Sequence, residues 1–560
     1  MSEKSQRLFT IMSDIGDEKI LDAAQPLKKL PRRALYWRRW AVAACLCLSV
    51  GLSFYLLPNL VGCGGNAGGS GHQEASTFMS YAGPILPMTL REGNAHITAE
   101  RELTWDFKPW VPVWYTNEEY LSMEHPEALS PEKRQEILEQ YNEWFPDGGH
   151  WETEDHVLVK DRYILRNSST EDQTVSLLYP YISSLEDMPF LRPALTLDGR
   201  ELPAREYIGS YTGGYTGAWS SEGTNEGSCN LARPDSWQVY DALLKSGQYR
   251  EDAMEPWPDF KGIPAVIYSF TDAYGPEDNE DASNPSIMVS FATDYDKTSI
   301  QAYGFQGQSQ DSEGRRMALS FSIPAPGERQ EPKLLIVIGE DIQDLTWCAR
   351  VTGGTDPDTP LLEDKAGVTV ERYETDLDEA LRGVLSLHRN RRQDMQDLPY
   401  QSHLPFDTWY GAFCDMTAGR DGLPRTDLER YQGSWLDIAL DDTTKVDRVC
   451  YLEVEISIPA GEKVTLTADF IKEPSFDYAC TNSRDKGICG YDMTPALDSD
   501  LRCTSQAVTL LDREQVDIVR QNFGFDLENG VCRVELDLGI PHYYLEVRRR
   551  PGSYDPAPPK

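Results

Sequence analysis

The chain has 560 residues and is acidic, with 91 Asp and Glu against 53 Lys and Arg and a formal net charge of −38 at pH 7. So large an acidic excess argues against nucleic acid as a partner, because nucleic-acid binding needs clustered cations. Apolar residues make up 40% of the sequence, which is too many for the acidic part of the chain to be a disordered tail.

Residues 1–39 are predicted to be a short cytoplasmic segment. They hold nine basic and five acidic side chains, a net charge of +4, so residues 64–560 carry the remaining −42. The string IGDEKILDAA, from Ile15 to Ala24, precedes a Pro/Lys/Arg spacer and a Trp-flanked apolar run. In this it resembles the amino termini of a family of clostridial single-pass membrane proteins with an anti-sigma-factor-like segment. The resemblance implies that residues 1–39 bind a cytoplasmic sigma factor, although they lack the His and Cys of zinc-containing anti-sigma proteins.

Residues 40–62 are predicted to form one transmembrane helix. The run from Ala41 to Gly62 has no ionisable side chain, and at about 1.5 Å per residue it can cross a hydrocarbon core of roughly 30 Å. Basic residues stand on its N-terminal side only, which by the positive-inside rule keeps the N-terminus in the cytoplasm. The predicted membrane anchors are Trp37, Arg38, Arg39 and Trp40. We therefore expect a single-pass protein of the cell membrane, with its C-terminal region outside the cell.

Cys63 leaves an alternative open. Leu60-Val61-Gly62-Cys63 matches the bacterial lipobox, and cleavage before Cys63 with lipidation of its thiol would replace the helix with a lipid anchor. The long segment before the apolar run and the Pro58-Asn59 interruption favour an uncut helix. Residues 63–77 are predicted to be a flexible Gly-rich linker.

Residues 78–370 are predicted to be a β-rich ectodomain. The string VLVKDRYILRN, from Val157 to Asn167, alternates apolar and polar residues, and the chain returns through a polar turn as TVSLLYPYI. Asp198-Gly199 marks a tight hairpin. Short strands and turns at this spacing are typical of an antiparallel β-sandwich. A helix is predicted before these strands, from Pro131 to Trp144, with Ser130 as its N-cap, and a second one, capped by Ser236, interrupts them.

Residues 371–445 are predicted to be a helical insert, since apolar residues recur there at helical spacing after a capping box of Thr375 and Asp378. Strands resume in a C-terminal β-rich region, residues 446–550. There a Pro459-Ala460-Gly461 turn reverses the chain and Asn529-Gly530 centres a last hairpin.

The fold class that follows is mainly β, α+β overall. It comprises one or more antiparallel β-sandwich-type ectodomains with a helical insertion, preceded by one transmembrane helix. Residues 551–560 are predicted to be a disordered tail.

Two loops carry candidate sites. Between Gly209 and Trp219 aromatic residues alternate with glycines, and flat rings with polar tips suit an envelope glycan or peptide. The candidate ligand-binding residues are Tyr211, Tyr215 and Trp219; alternatively their rings pack on the sandwich. An acidic loop offers oxygen ligands to calcium, although the spacing of an EF-hand is missing and a solvated loop is the simpler interpretation. Its candidate metal ligands are Glu277, Asp278, Glu280 and Asp281.

Eight cysteines follow Cys63, an even number that permits disulfides outside the cell. Spacing favours one pair, Cys480 with Cys489; the alternative is that most are small buried apolar residues.

Three functions remain open. The first is a tethered sensory or regulatory protein that responds to an envelope ligand and signals through residues 1–39. The second is an envelope binding or structural protein, or a lipoprotein, without a signalling role. The third is a surface hydrolase acting on glycan or peptide. Because the usual catalytic motifs are missing from the sequence, we predict no enzyme activity and no cofactor.

Overall fold

The computed structural model describes twelve stretches of the chain. They are residues 82–124, 130–211, 237–275, 284–311, 315–324, 331–356, 358–362, 366–394, 404–418, 436–477, 487–497 and 501–550. No helix within these stretches is long and apolar enough to cross a membrane. The predicted transmembrane helix at residues 40–62 lies outside the described residues, as do the anchors Trp37, Arg38, Arg39 and Trp40, Cys63, the linker and the tail.

The described part of the chain is mainly β, which confirms the predicted class at that level. Its strands are β1 (Thr89–Leu90), β2 (Ile97–Asp106), β3 (Val113–Thr116), β4 (Gly149–Glu152), β5 (Val157–Asn167), β6 (Gln173–Ser183), β7 (Ala194–Leu197), β8 (Arg200–Glu201), β9 (Arg205–Tyr211), β10 (Pro264–Tyr274), β11 (Ser286–Ala292), β12 (Thr298–Tyr303), β13 (Gly307–Gln310), β14 (Arg316–Ser322), β15 (Lys333–Gly339), β16 (Gln343–Arg350), β17 (Gly367–Asp376), β18 (Arg448–Ile458), β19 (Lys463–Lys472), β20 (Phe476–Asp477), β21 (Ile488–Met493), β22 (Arg502–Leu511), β23 (Val516–Gln521), β24 (Arg533–Glu535) and β25 (Tyr543–Arg549). Its α-helices are α1 (Asn117–Glu124), α2 (Pro131–Trp144), α3 (Met188–Leu191), α4 (Trp237–Ser246), α5 (Gln248–Met254), α6 (Leu377–Asp394), α7 (Phe406–Met416) and α8 (Leu436–Lys445).

Residues 112–153 form a compact unit of their own. Strands β3 and β4 pair antiparallel, and α1 and α2 lie between them in the chain. The predicted α2 is confirmed: the Ser130 hydroxyl accepts a hydrogen bond from the Lys133 N–H at 3.2 Å. The small core of this unit contains Tyr120, Leu121 and Tyr141.

The second unit spans residues 82–111 and 154–550 of the described chain. Its largest sheet, sheet I, has the order β24-β22-β2-β5-β19-β7-β8. All its pairs are antiparallel except β2 with β22, which run parallel. One face of sheet I packs on two smaller sheets, sheet II (β1-β6-β18-β9) and sheet III (β20-β21-β25-β23).

Two further sheets form a second layered region in the same unit. Sheet IV (β12-β15-β10-β17) packs on sheet V (β13-β14-β11-β16) through Leu335 and Val337 of β15. The alternate residues Ile336 and Ile338 face helices α6, α7 and α8 instead. Because β15 is buried on both faces, its sequence is an unbroken apolar run rather than an alternating one.

The structure corrects the predicted last hairpin and shows that two other predicted turns connect different sheets. Strands β5 and β6 do not pair with each other: β5 belongs to sheet I and β6 to sheet II. The Pro459–Gly461 turn likewise carries the chain from β18 in sheet II to β19 in sheet I. Around Asn529-Gly530 only the Asp526–Val531 bridge forms, since β24 pairs in sheet I and β25 in sheet III. Alternating strands bury one face equally well in a hairpin or in an arch between two sheets, so the pattern alone did not separate them.

The helical insert begins later than predicted. Strand β17 continues through Thr375 to Asp376, and helix α6 begins at Leu377. The residue in the N-cap position is Asp376, whose carboxylate accepts a hydrogen bond from the Asp378 N–H at 2.9 Å. Thr375 instead donates its hydroxyl proton to the Glu379 carboxylate. The expected capping box is therefore wrong by one residue at its first position.

Candidate functional site

The first ten residues that the structure describes form an extended segment, residues 82–91, which we call the strap. Residues 83–90 are all buried. Ile85, Leu86 and Leu90 each expose at most 3% of their surface. Gly83 has a φ of +81°, and a Cβ there would lie 2.0 Å from the Ile182 Cδ1 atom. The start of the β-rich region is thus a tightly packed interior segment.

Hydrogen bonds join the strap to sheets I, II and III, which together form the first layered region. The Ile85 N–H donates to the Asp492 carbonyl of sheet III at 2.9 Å. Thr89 and Leu90 pair with β6 of sheet II. The Met88 N–H donates to the Tyr163 hydroxyl of sheet I, also at 2.9 Å. Pro84 and Pro87 need no such partner for their nitrogen, since proline has no N–H.

Beneath the strap lies a fully buried ion pair. The Arg101 Nε and Nη2 atoms donate to the two carboxylate oxygens of Asp161 at 2.9 and 2.7 Å, and neither side chain is exposed. The hydroxyls of Tyr163 and Tyr179 donate to the same carboxylate at 3.1 and 3.0 Å. Arg101 also reaches the Leu86 carbonyl of the strap at 3.4 Å. A buried charge is tolerated only when it is paired and hydrogen-bonded in this way.

The same environment affects the proton affinity of these groups. Burial alone would lower the pKa of the Arg101 guanidinium, but Asp161 outweighs that effect and raises it. Burial raises the pKa of the Tyr163 and Tyr179 hydroxyls well above their usual range. Both tyrosines therefore stay protonated and remain donors to Asp161 across the physiological pH range.

A cleft opens between the strap and the neighbouring strand ends, and we call it the Lys472 cleft. Its lining includes Ala82, Pro84, Tyr179, Asp447, Lys472 and Glu473. The cavity volume is about 30 Å³, room for a couple of water molecules and far below the roughly 300–1,000 Å³ of ligand pockets. Its walls belong to the strap and to the edges of the sheets that the strap connects.

Lys472 is the most chemically distinctive group in this cleft. Its ammonium donates to the Glu473 carbonyl at 2.9 Å. Burial lowers the pKa of the Lys472 amine, and the nearby carboxylates of Asp492, Glu473 and Asp447 partly oppose that effect. Lys472 is half-buried, and a lysine with a lowered pKa is a common feature of functional sites, because its neutral amine can act as a base or nucleophile. With so small a cavity, the geometry argues against a role in binding a substrate.

A buried histidine–aspartate pair adjoins the strap. The His542 Nε2 atom is 2.7 Å from the Asp492 carboxylate, and both residues are buried. The main-chain carbonyl of Asp492 accepts the hydrogen bond from Ile85 of the strap. Within the described residues, no group of three or more His, Cys, Asp or Glu side chains could hold a metal ion.

The sequence-predicted site residues fall largely outside the described chain. Tyr211 ends strand β9, and nothing is described of its side chain, while Tyr215 and Trp219 lie beyond the described residues. The same holds for the acidic residues Glu277, Asp278, Glu280 and Asp281, and for Cys480. Cys489 is buried in β21. The glycan, calcium and disulfide interpretations therefore stay predictions.

Sequence reasoning missed the strap and its ion pair, although a signal was present. In VLVKDRYILRN the inward positions are Val157, Val159, Asp161, Tyr163 and Leu165. Asp161 is thus a charged residue on the apolar side of the alternation, as is Arg101 between Ala99 and Leu103 in β2. Two opposite charges at inward positions of strands that pair predict a buried ion pair.

Comparisons with known proteins add no identity. No protein-family model matches the chain, and no curated protein matches its sequence significantly.

Proposed function

We propose that this chain is a membrane-tethered sensory or regulatory protein. In this proposal the β-rich region lies outside the cell and meets an envelope glycan or peptide, and residues 1–39 hold or release a cytoplasmic partner such as a sigma factor. One observation carries the proposal: an uncharged run, Ala41–Gly62, separates a segment of net charge +4 from a region of −42.

The architecture of the β-rich region is compatible with such a role. Sheets I and II share one apolar core and sheets IV and V another, which supports the β-sandwich interpretation. Rigid sheets with long connections commonly present ligand-binding loops. The strap, which begins five residues after the predicted linker, attaches the tether to the interior of this scaffold rather than to a loose terminus.

The topology is tested first, with the full-length protein in intact cells. A membrane-impermeant protease is expected to digest the region after residue 63 and to spare residues 1–39. Protection of both parts from the protease contradicts the proposal. Mass spectrometry of the mature protein distinguishes the two anchors, since a chain that begins with a lipidated Cys63 is a lipoprotein and cannot signal through residues 1–39.

The cytoplasmic partner is tested by affinity purification of the full-length protein through a C-terminal tag. A sigma factor is expected to copurify with the wild type. It is expected to be lost from the double variant Ile20→Asp/Leu21→Asp, which places charges at two apolar positions of the string IGDEKILDAA. If the wild type and the double variant copurify the same proteins, the signalling role is excluded and the envelope binding or structural role remains. Hydrolysis of cell-wall glycan or peptide by the purified protein would favour the hydrolase instead.

A further inference from the structure

We propose that the strap is a load-bearing clasp, which carries tension on the chain before residue 82 into three sheets at once and holds until those sheets unfold. The inference rests on the proposed tethering, because only a tethered chain is pulled at this point. It adds a mechanical role that neither the sequence pattern nor the tether itself supplies.

The clasp is formed by hydrogen bonds from one short segment to several distant parts of the chain. The Ala82 N–H donates to the Ser475 carbonyl at 2.7 Å, and the Thr494 N–H donates to the Ile85 carbonyl at 3.1 Å. Four residues on, Thr89 and Leu90 pair with a strand of a different sheet. A force along an extended segment loads such bonds together, whereas a force at a frayed terminus breaks them one at a time.

The end of the strap is held separately, by charge. The Arg91 guanidinium contacts the Glu453 carboxylate at 2.5 Å. The main-chain N–H of Arg91 donates to the Ser176 carbonyl at 2.9 Å. Glu453 also accepts hydrogen bonds from the hydroxyls of Tyr207, at 2.8 Å, and Ser176, at 2.6 Å. Because Glu453 lies in the middle of β18, a pull that reaches Arg91 reaches a central strand of sheet II.

Arg101 couples these contacts. It lies in the central part of sheet I, bonded to Asp161, and it also donates to the Leu86 carbonyl of the strap. Withdrawal of the strap would open the buried ion pair to an unfilled space, so the strap is expected to leave only when the strands that carry the ion pair, β2 and β5, come apart. The packing at Gly83 adds to this, since a single Cβ there would collide with Ile182.

The test is single-molecule force spectroscopy on the full-length protein, in detergent, with handles at both termini. The ten residues of the strap would release a length of about 35 Å. In the wild type we expect no separate step of that length before the sheets unfold. In Gly83→Val, which forces a side chain against Ile182, we expect such a step at a lower force.

The matched control is Gly262→Val. Gly262 also has a positive φ, +78°, but a Cβ there would meet nothing within 4 Å, so the same substitution strains the backbone without moving the strap. Its force trace is expected to match the wild type. A separate low-force step of about 35 Å in the wild type overturns the clasp, and so does a Gly83→Val trace without such a step.

Hydrogen exchange of the wild type covers the case in which Gly83→Val fails to fold. The amides of Ile85 and Met88 are expected to exchange as slowly as that of Leu452 in β18, because all three should open only on unfolding of the sheets. Exchange of the two strap amides more than about tenfold faster contradicts the proposal. Both measurements are independent of any cytoplasmic partner, so a failed copurification leaves them standing.

Discussion

The two layered regions of the larger unit bury their centres equally well but by different means. Between sheets I and II the centre contains Arg101 and Asp161, both without exposed surface. Between sheets IV and V it consists of hydrocarbon and aromatic rings such as Phe270, Phe305 and Phe321, in edge-to-face or tilted contacts 5.5–6.4 Å apart. The difference shows that burial alone does not tell what holds a core together.

An apolar core tolerates many arrangements of similar volume, whereas a buried ion pair tolerates very few. Arg101 must meet Asp161, the strap carbonyl and Gln506 in one geometry. We therefore expect substitutions in the core between sheets I and II to be tolerated less well than substitutions in the core between sheets IV and V.

The largest effect is expected from Arg101→Met. It leaves the Asp161 carboxylate buried without its cation, which should lower the free energy of unfolding by about 3–5 kcal/mol. Urea denaturation of the full-length protein measures the change. The double variant Arg101→Met/Asp161→Leu should recover much of the loss, because two apolar groups replace the pair. If the double variant is no more stable than Arg101→Met, the attraction between Arg101 and Asp161 itself supplies the stability. The loss in the single variant would then not come from the unpaired Asp161 carboxylate.

Leu335→Ala tests the apolar region at a comparable depth. Leu335 is fully buried between sheets IV and V, and its truncation should cost about 3 kcal/mol through lost burial and a cavity. The conservative Leu335→Met keeps the volume of the side chain. It should therefore lower the free energy of unfolding by less than about 1.5 kcal/mol in the same urea measurement. Equal losses from both variants would show that this core is as exacting as the first.

A pH-dependent effect of intermediate size is expected at Glu453. Desolvation raises the pKa of its carboxyl, but hydrogen bonds from Ser176, Arg91 and Tyr207 outweigh it and lower the pKa to about 2. A lowered carboxyl pKa stabilises the folded state above the unfolded value and loses that contribution as pH falls toward 2. Because Arg91 is 42% exposed, solvent screening should limit the contribution to about 1–2 kcal/mol.

The check compares wild type with Glu453→Gln by urea denaturation at pH 7 and at pH 3. The difference in the free energy of unfolding between the two proteins should shrink at the lower pH. A difference that does not change with pH would assign the effect to packing rather than to charge.

The smallest effect is expected from Arg372→Met. Arg372 is 41% exposed and pairs with the Asp341 and Glu374 carboxylates on the surface. Exposed ion pairs contribute little because water and salt screen them, so the loss of stability should be the smallest of these losses and should vanish in high salt. This substitution is the exposed counterpart of Arg101→Met. A loss of several kcal/mol here would remove the distinction between the buried and the exposed arginine.

The sequence predicted individual elements better than their partners. The helix from Pro131 to Trp144 and the strand from Val157 to Asn167 follow from local signals, capping in one case and alternation in the other. Which sheet each strand joins depends on contacts far along the chain, as the β5–β6 and β18–β19 arches show. A strand's alternation fixes which side is buried, but not what covers it.

The candidate site was harder to predict for the same reason. The strap reads as a Pro-containing stretch with few polar residues, AGPILPMTLR, and local pattern indicates neither helix nor long strand there. Its role depends on partners such as Tyr163 and Asp492, which are distant in sequence. Only the inward-facing charges of Arg101 and Asp161 gave a local sign that something unusual lay at this position.

The parallel pairing of β2 with β22 sets a condition on biosynthesis. Arg101 and Gln506 touch although they are 405 residues apart, so one edge of β2 stays unpaired until nearly the whole chain has been made. At about 5–20 residues per second that wait is on the order of 20–80 s. An open strand edge with an uncovered charge is prone to wrong pairing during such an interval. Until β22 arrives, this edge of β2 is the place where a chaperone would protect the newborn chain.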